Sequence, residues 1–370
     1  MPLILGEKWD TIPEVDYETL RKVLELLYSM DNPPSLLIFG PPGIGKTQIV
    51  TTFANDKDMD LRIRFLSRTE PTDWLGIPKT KIDNNEEYTV FVRPQFLRGR
   101  TSGKRILFFF DEINTASPQV LNSALDVILN KRVEEYELPK DTMIVAAGNY
   151  GKEDGTYVEE LSKAVKTRFM QVRLSPSLKQ WLDWAKNNQI HPAIIRFLEE
   201  KDSIDHLLDT QGLQQENAQQ IATPRGWEIL SKMLIKLEEE CKKQNGKVDE
   251  NMVTILSCSI LGKRIADEFC KAYFGIREII EIIYMDPGKI VQKISEKLAV
   301  LQEIVDFVIT AVENNDGNKD NYIEKLVEVL QRLNPALYTM VADRIQNSKI
   351  LCEKIKKIDG NLFNNILTKQ

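Results

Sequence analysis

Cysteine and histidine are scarce in this chain. The 370 residues hold four cysteines, Cys241, Cys258, Cys270 and Cys352, and two histidines, His191 and His206. No two cysteines form a C-x-x-C pair, and their wide, irregular spacing offers neither a disulfide framework nor the ligand set of a zinc site. The thiols read as small apolar residues packed in a reducing compartment, with the cytoplasm as the expected address. Long hydrophobic runs are missing too. No stretch approaches the ~18 consecutive apolar residues of a membrane span, so no membrane insertion is expected. The opening residues, Met1 to Glu7, carry neither the basic region nor the long apolar core of a secretory signal. Positive charge is not in excess either: 49 Lys and Arg face 55 Asp and Glu, a net charge of −6 with a pI of about 5.4. That balance argues against non-specific nucleic-acid binding as the main activity. Internal repeats and low-complexity tracts are absent as well.

What remains is ordinary globular material. Hydrophobic residues make up 42% and charged residues 28%, which excludes a disordered chain. The length suits two to three domains.

One stretch organises the reading. Gly40-Pro41-Pro42-Gly43-Ile44-Gly45-Lys46-Thr47 follows the apolar run Leu36 to Phe39 and leads through Gln48 into Ile49 to Ala54. Strand, glycine-rich turn and helix are the context of a phosphate-binding P-loop, and the spacing G-x-x-x-x-G-K-[ST] matches residue for residue. Glycines let successive N–H groups turn inward at phosphate oxygens, and the following helix adds its positive end. Lys46 is placed to reach the β- and γ-phosphates, and the Thr47 hydroxyl to ligate Mg²⁺.

Along the chain, Tyr17, Leu20, Val23, Leu24, Leu27 and Tyr28 space out an amphipathic helix over 17–30. Leu61-Arg62-Ile63-Arg64-Phe65 alternates like a strand with one buried face. The segment Ser67 to Gly103 is long for a connection in an α/β unit, and Asp83-Asn84-Asn85-Glu86 marks a hairpin tip within it. Ile106 to Phe110 is a continuous apolar run, as in a strand buried on both faces, ending in Asp111-Glu112. Ser117-Pro118 caps the next helix. Met143 to Ala147 and Met170 to Leu174 read as two more strands. Strands alternating with helices predict a parallel five-stranded sheet with helices on both faces, its ligand at the strands' carboxyl ends near Thr47, Asp111 and Asn149. From Ser175 nearly everything reads helical, including Ile290 to Val312. Trp181 and Trp184 share one helix face and read as core. The expected division is a nucleotide-binding α/β domain over 1–174, a helical lid over 175–246 and a helical C-terminal region over 247–370.

The apolar strand ending in Asp-Glu supplies the second half of an ATPase. Asp111 would support Mg²⁺ through its water shell, and Glu112 would polarise the water that attacks the γ-phosphate. Together with the P-loop this implies a Mg²⁺-dependent ATP hydrolase.

Several stretches in order carry a family resemblance: Gly40 to Thr47, Ile106 to Glu112 with Ile113-Asn114, Ala147-Gly148-Asn149, Thr167-Arg168-Phe169, and Thr223-Pro224-Arg225-Gly226-Trp227. Over roughly residues 15 to 240 the chain resembles the AAA+ ATPases, and more narrowly the MoxR-type, dynein-related group. The resemblance implies that Asn149 is sensor 1, placing the attacking water, with a turn-capping asparagine as the alternative. It implies that Arg168 is an arginine finger acting on ATP bound to the neighbouring subunit, the alternative being a surface ion-pair residue. Arg225 would be sensor 2, in cis or in trans. A homo-oligomeric ring, a hexamer, follows, as does a partner protein with a von Willebrand factor A domain. Many MoxR-type proteins have an arginine where this chain has Thr115, so that contact is absent or comes from Arg98, Arg100 or Arg105. Lys79 to Tyr88 lies where such proteins put pore loops; a solvated hairpin is the alternative. The function expected is remodelling or assembly of a partner protein complex. A nucleic-acid motor or loader and a non-motor ATP-dependent switch stand as alternatives.

Overall fold

The computed structural model describes residues 9 and 11–368, apart from 85, 101–102, 134–135, 214, 216–218, 245–247, 286–288, 292–293, 295–298, 314–315, 334–336 and 338–340. The chain packs as two units, Met1–Trp181 with Ser203–Trp227, and Leu182–Asp202 with Glu228–Gln370.

The first unit is built on a parallel sheet. Its strands are β1 (Glu14–Val15), β2 (Leu36–Phe39), β3 (Asp60–Phe65), β6 (Ile106–Asp111), β9 (Met143–Gly148) and β10 (Met170–Leu174), in the order β1-β10-β2-β9-β6-β3. The central strands are apolar without interruption because both faces are covered. Alternate side chains feed two separate cores. Leu37, Phe39, Phe108, Phe110, Ile144 and Ala146 enter one, while Leu36, Ile38, Leu107, Phe109, Val145 and Ala147 enter the other. Helices α1 (Tyr17–Tyr28) and α2 (Lys46–Asp56) contribute to the second core, and α4 (Pro118–Asn130) to the first. The predicted caps are present: Asp16 Oδ1 accepts from Thr19 N at 2.8 Å, and Ser117 Oγ accepts from Val120 N at 3.4 Å ahead of Pro118.

Two details depart from expectation. The sheet has six strands rather than five, since the two-residue β1 pairs in parallel with β10 at Glu14–Arg173 and Val15–Leu174. Two residues are too few for a periodicity to register. The second departure is on β3, where Arg62 is buried although the alternation set it opposite the apolar residues. Its guanidinium donates to the carbonyls of Phe96 at 2.9 Å, Arg98 at 2.7 Å and Gly99 at 3.0 Å, and pairs with Asp60 at 2.6 Å. A buried arginine is tolerated when its donors are filled, and here they tie the sheet's outer strand to the segment that crosses it.

Between β3 and β6 stands the expected hairpin, β4 (Ile77–Asp83) paired antiparallel with β5 (Glu86–Val92). Asn84 is left-handed at φ 49°, and the tip residue Asn85 lies outside the described residues. Every described residue of the hairpin is exposed except Val90, which is half-buried, and Ile77 and Ile82 are 74% and 73% exposed.

The second unit is helical. Its helices include α7 (Pro192–Lys201), α11 (Glu250–Leu261) and α12 (Lys263–Ile283), then Ala299–Glu313, Lys319–Arg332, Ala342–Asn347, Lys349–Ile358 and Gly360–Thr368. Phe197 meets Phe269 edge-on with centroids 5.5 Å apart, joining α7 to α12. One apolar cluster running from Ile282 to Ile366 holds the later helices together. The expected helix over 290–312 is helical from Ala299, with part of its first turns outside the described residues. Trp181 is buried, whereas Trp184 is 38% exposed, so only half of that predicted core pair is core. Among the described residues no helix is long and apolar enough to cross a membrane.

Candidate functional site

The glycine-rich turn leaves β2 at the carboxyl edge of the sheet, and two of its glycines explain its shape. Gly43 and Gly45 adopt φ of +77° and +96°, a region costly for side-chain-bearing residues. A Cβ on Gly43 would also sit 2.9 Å from Thr223 Oγ1. Gly45 occupies the N-cap of α2, and no side chain caps that end. The first N–H groups of an 11-residue helix therefore keep their donors for a phosphate. Tyr17 braces the turn from α1 through its hydroxyl, which donates to Ile44 O at 2.5 Å.

Lys46 is 7% exposed, and its ammonium donates to Gly40 O at 2.5 Å, Pro41 O at 2.9 Å and Asn149 Oδ1 at 2.8 Å. Burial pushes its pKa down to about 8, opposed by Asp154, Asp111 and Glu112 and reinforced by Arg225. A buried ammonium whose hydrogen-bond partners are all neutral oxygens is poised to take up an anionic ligand. Thr47 Oγ1 donates to Asp111 Oδ2 at 2.6 Å. A hydroxyl and a carboxylate side by side at the strand ends are the hard oxygen donors that Mg²⁺ accepts beside a phosphate. The residues present therefore fit a magnesium nucleotide. Gln48 is exposed and its side chain turns to Thr52 at 3.4 Å, so only its backbone faces the loop.

Glu112 follows Asp111 in the left-handed region at φ 54°, rare for a non-glycine residue and frequent where a side chain must be aimed. Its Oε2 accepts from Ser67 Oγ at 2.8 Å. Sequence reading missed Ser67, because a lone serine after a strand carries no spacing signal. Asn149 stands at the end of β9 with its oxygen committed to Lys46, which leaves its NH₂ to donate.

Asp154 was also missed. It is 3% exposed, and its carboxylate accepts from Tyr150 N at 2.7 Å, Gly151 N at 3.0 Å, Thr156 N at 3.3 Å and Thr156 Oγ1 at 2.5 Å. Burial raises its pKa. It knots the loop directly after Asn149.

Arg225 is brought to the same place. Its backbone N donates to Gly43 O at 3.1 Å, and Thr223 Oγ1 caps the helix by accepting from Gly226 N at 3.0 Å. Lys46, Thr47, Asp111, Glu112 and Asn149 thus meet at one strand-end cleft, and the exposed Arg225 stands near enough for its charge to lower the Lys46 pKa. Arg168 does not join them. It is exposed, two residues before Met170, which pairs with Leu36 at the opposite, amino edge of the sheet. Arg100 pairs with Asp141, and Arg105 donates to Asp141 O at 2.5 Å and Met30 O at 2.8 Å, so both are engaged within their own unit.

Residues 35–171 match the profile of the ATPase family associated with various cellular activities (AAA). Midasin of Dictyostelium discoideum is 27% identical over 141 residues, which are 36% of this chain and 2% of that protein. The chain thus spans a small fraction of that relative's length. Among solved structures, the RuvB Holliday junction branch migration motor of Thermotoga maritima is 14% identical with a TM-score of 0.37, covering 79% of this chain and 82% of that one. NtrX of Brucella abortus is 14% identical with a TM-score of 0.37, covering 88% and 67%. The parallel sheet, its glycine-rich turn and the profile match together make the first unit an AAA+ type P-loop ATPase fold, followed by helices.

Proposed function

We propose that this chain is one subunit of a homo-oligomeric AAA+ ring, a hexamer, that hydrolyses ATP to remodel or assemble a partner protein complex. The observation that carries the proposal is a division of labour. The residues proposed to hold and split a nucleotide gather at one cleft, while the arginine with the finger's sequence signature is exposed at the far edge of the sheet. In this reading Gly40 to Gln48 wrap the phosphates, with the backbone N–H groups that follow Pro41 and Pro42 turned to their oxygens, and Lys46 moves its ammonium from Asn149 and the loop carbonyls onto phosphate oxygens. Mg²⁺, held by Thr47 and through Asp111, supplies charge neutralisation for the transferring phosphoryl group. Glu112 accepts the proton of the attacking water, and the Asn149 NH₂ orients that water. Arg225 balances phosphate charge from the start of its helix, and Arg168 does so for the next subunit's ATP.

Residues 1–174 would be the nucleotide-binding domain, 175–246 the lid and 247–370 a further helical region. The free cysteines suit a cytoplasmic protein. The exposed hairpin, with Ile82 and Tyr88 bare near its tip, would serve as a pore loop that grips the client polypeptide. The MoxR-type resemblance names the partner class, a protein with a von Willebrand factor A domain.

The test is a mixing assay. Lys46→Ala should lose nucleotide binding, and Arg168→Ala should bind ATP yet turn it over slowly. Mixing the two proteins should restore ATPase activity at interfaces that pair an intact cleft with an intact Arg168. A mixture that stays inactive while both variants assemble would remove the trans role of Arg168. Turnover stimulated by DNA or RNA with a steep salt dependence would favour a nucleic-acid motor instead.

A further inference from the structure

Asn114 sits in the short turn after Glu112 (Ile113–Thr115), 4% exposed, and its side chain crosses to the neighbouring strand end. Its Nδ2 donates to Asn149 O at 2.8 Å, and its Oδ1 accepts from Asn149 N at 3.1 Å. One amide side chain thus fills both backbone groups of one residue, as an adjacent strand would. The same residue's carbonyl accepts from Glu159 N at 2.7 Å, and Thr115 N closes the turn onto Glu112 O at 3.0 Å. Beyond Gly148 the ladder between β2 and β9 stops, so nothing in the sheet itself fixes the Asn149 backbone.

We infer that Asn114 is a positioning residue for hydrolysis: its side chain clamps the Asn149 backbone and sets where the Asn149 amide stands relative to Glu112. The argument is geometric. Glu112 and Asn149 each follow directly on a different strand, β6 and β9, and the last residues those strands pair with one another are Phe110 and Ala146. Past that pair each chain is held only by its other neighbour, β6 by β3 as far as Asp111 and β9 by β2 as far as Gly148, and no sheet bond joins one to the other. Asn114 bridges them one turn beyond Glu112, with a two-point contact that fixes orientation as well as distance. Lys46 adds a third restraint to Asn149 through Oδ1, but that bond must yield when Lys46 turns to phosphate, so the backbone clamp is the restraint that persists through turnover. The contact is tight. A Cβ on Gly148 would lie 3.0 Å from Asn114 Oδ1 and 3.2 Å from Asn114 Cγ, so glycine there leaves just enough room for the amide.

This inference rests on the hydrolytic reading of the cleft, and its test separates the two. Asn114→Ala in the full chain should lower kcat about 10²-fold, the scale of a misplaced reacting group, while affinity for ATP stays within about twofold because the phosphate loop is untouched. The decisive readout is a double-mutant cycle. If Asn114 acts through Asn149, the Asn114→Ala/Asn149→Ala double variant should be no slower than Asn149→Ala alone, to within about twofold. Multiplying rate losses would overturn the assignment, because they would mean two independent contributions. Should Asn114→Ala fail to fold, Gly148→Ala crowds the same amide, together with the Phe39 ring 3.2 Å from the added Cβ, without deleting a polar group; it should likewise lower kcat. An active Gly148→Ala enzyme with wild-type kcat would count against the clamp. A wild type devoid of ATPase activity would overturn the hydrolytic reading, and the inference with it.

Discussion

The cleft and Arg168 are two parts of one proposed machine, and the chain treats them in opposite ways. In the cleft the residues on the strand ends and the phosphate loop restrain one another: Lys46 by Asn149, Thr47 by Asp111, Glu112 by Ser67, and the Asn149 backbone by Asn114. Arg168 is exposed, in the three-residue connection between the four-residue helix Lys163–Lys166 and β10. Preorganisation is worth having where charge develops in the transition state, since it removes reorganisation from the barrier. A group meant for another molecule's site cannot be satisfied at home without weakening that use. Under the proposed function, the contrast is between side chains preset for the chain's own nucleotide and an arginine left unrestrained for that of a neighbour.

Substitutions can break or sharpen this contrast. The largest effect should come from Arg168→Ala, which is expected to cut turnover by about 10³-fold or more with ATP affinity unchanged, measured by steady-state hydrolysis and by equilibrium nucleotide binding. If turnover falls only in proportion to lost assembly, the residue is an interface contact and the contrast fails. Glu112→Gln should reduce hydrolysis by about 10²–10⁴-fold and leave a stable ATP-bound protein, checked by single-turnover kinetics. Unlike Arg168→Ala, it should remain inactive at its own cleft whatever it is mixed with. Ser67→Ala should act in the opposite direction and modestly, raising basal turnover about two- to fivefold by freeing the Glu112 carboxylate. Loss of basal activity on that change would recast Ser67 as a catalytic support. Replacing Ile82 and Tyr88 by Ser should be the mildest at the cleft: basal hydrolysis within about twofold, with the loss confined to stimulation by a client protein.

Much of this was legible before any coordinates. The glycine-rich turn, the apolar strand ending in Asp111-Glu112 and the strand ending near Asn149 announce themselves because their geometry needs particular residues at fixed offsets, and the sheet places them together. The hairpin was legible from its polar tip. The restraints were not. Ser67, Asn114 and Asp154 act through one, two and four hydrogen bonds to groups 45, 35 and 2–4 positions away, and such contacts leave no period in a sequence. Arg62 misled for a related reason. Alternation reports which face a side chain takes but not whether three carbonyls wait there to receive a guanidinium. The two-residue β1 lies below the length at which any pattern can register.

The phosphate loop is also fastened from above. Thr223 packs on Gly43 and Arg225 N donates to Gly43 O; the first caps and the second opens one helix, Pro224–Lys243. If a bound nucleotide and the seating of that helix influence one another through Gly43, thermodynamic linkage makes the influence reciprocal. Whatever factor ATP contributes to fixing the helix, a load that tilts the helix must return as the same factor in ATP affinity. Gly43 is where a force sensor and a fuel gauge would read the same number.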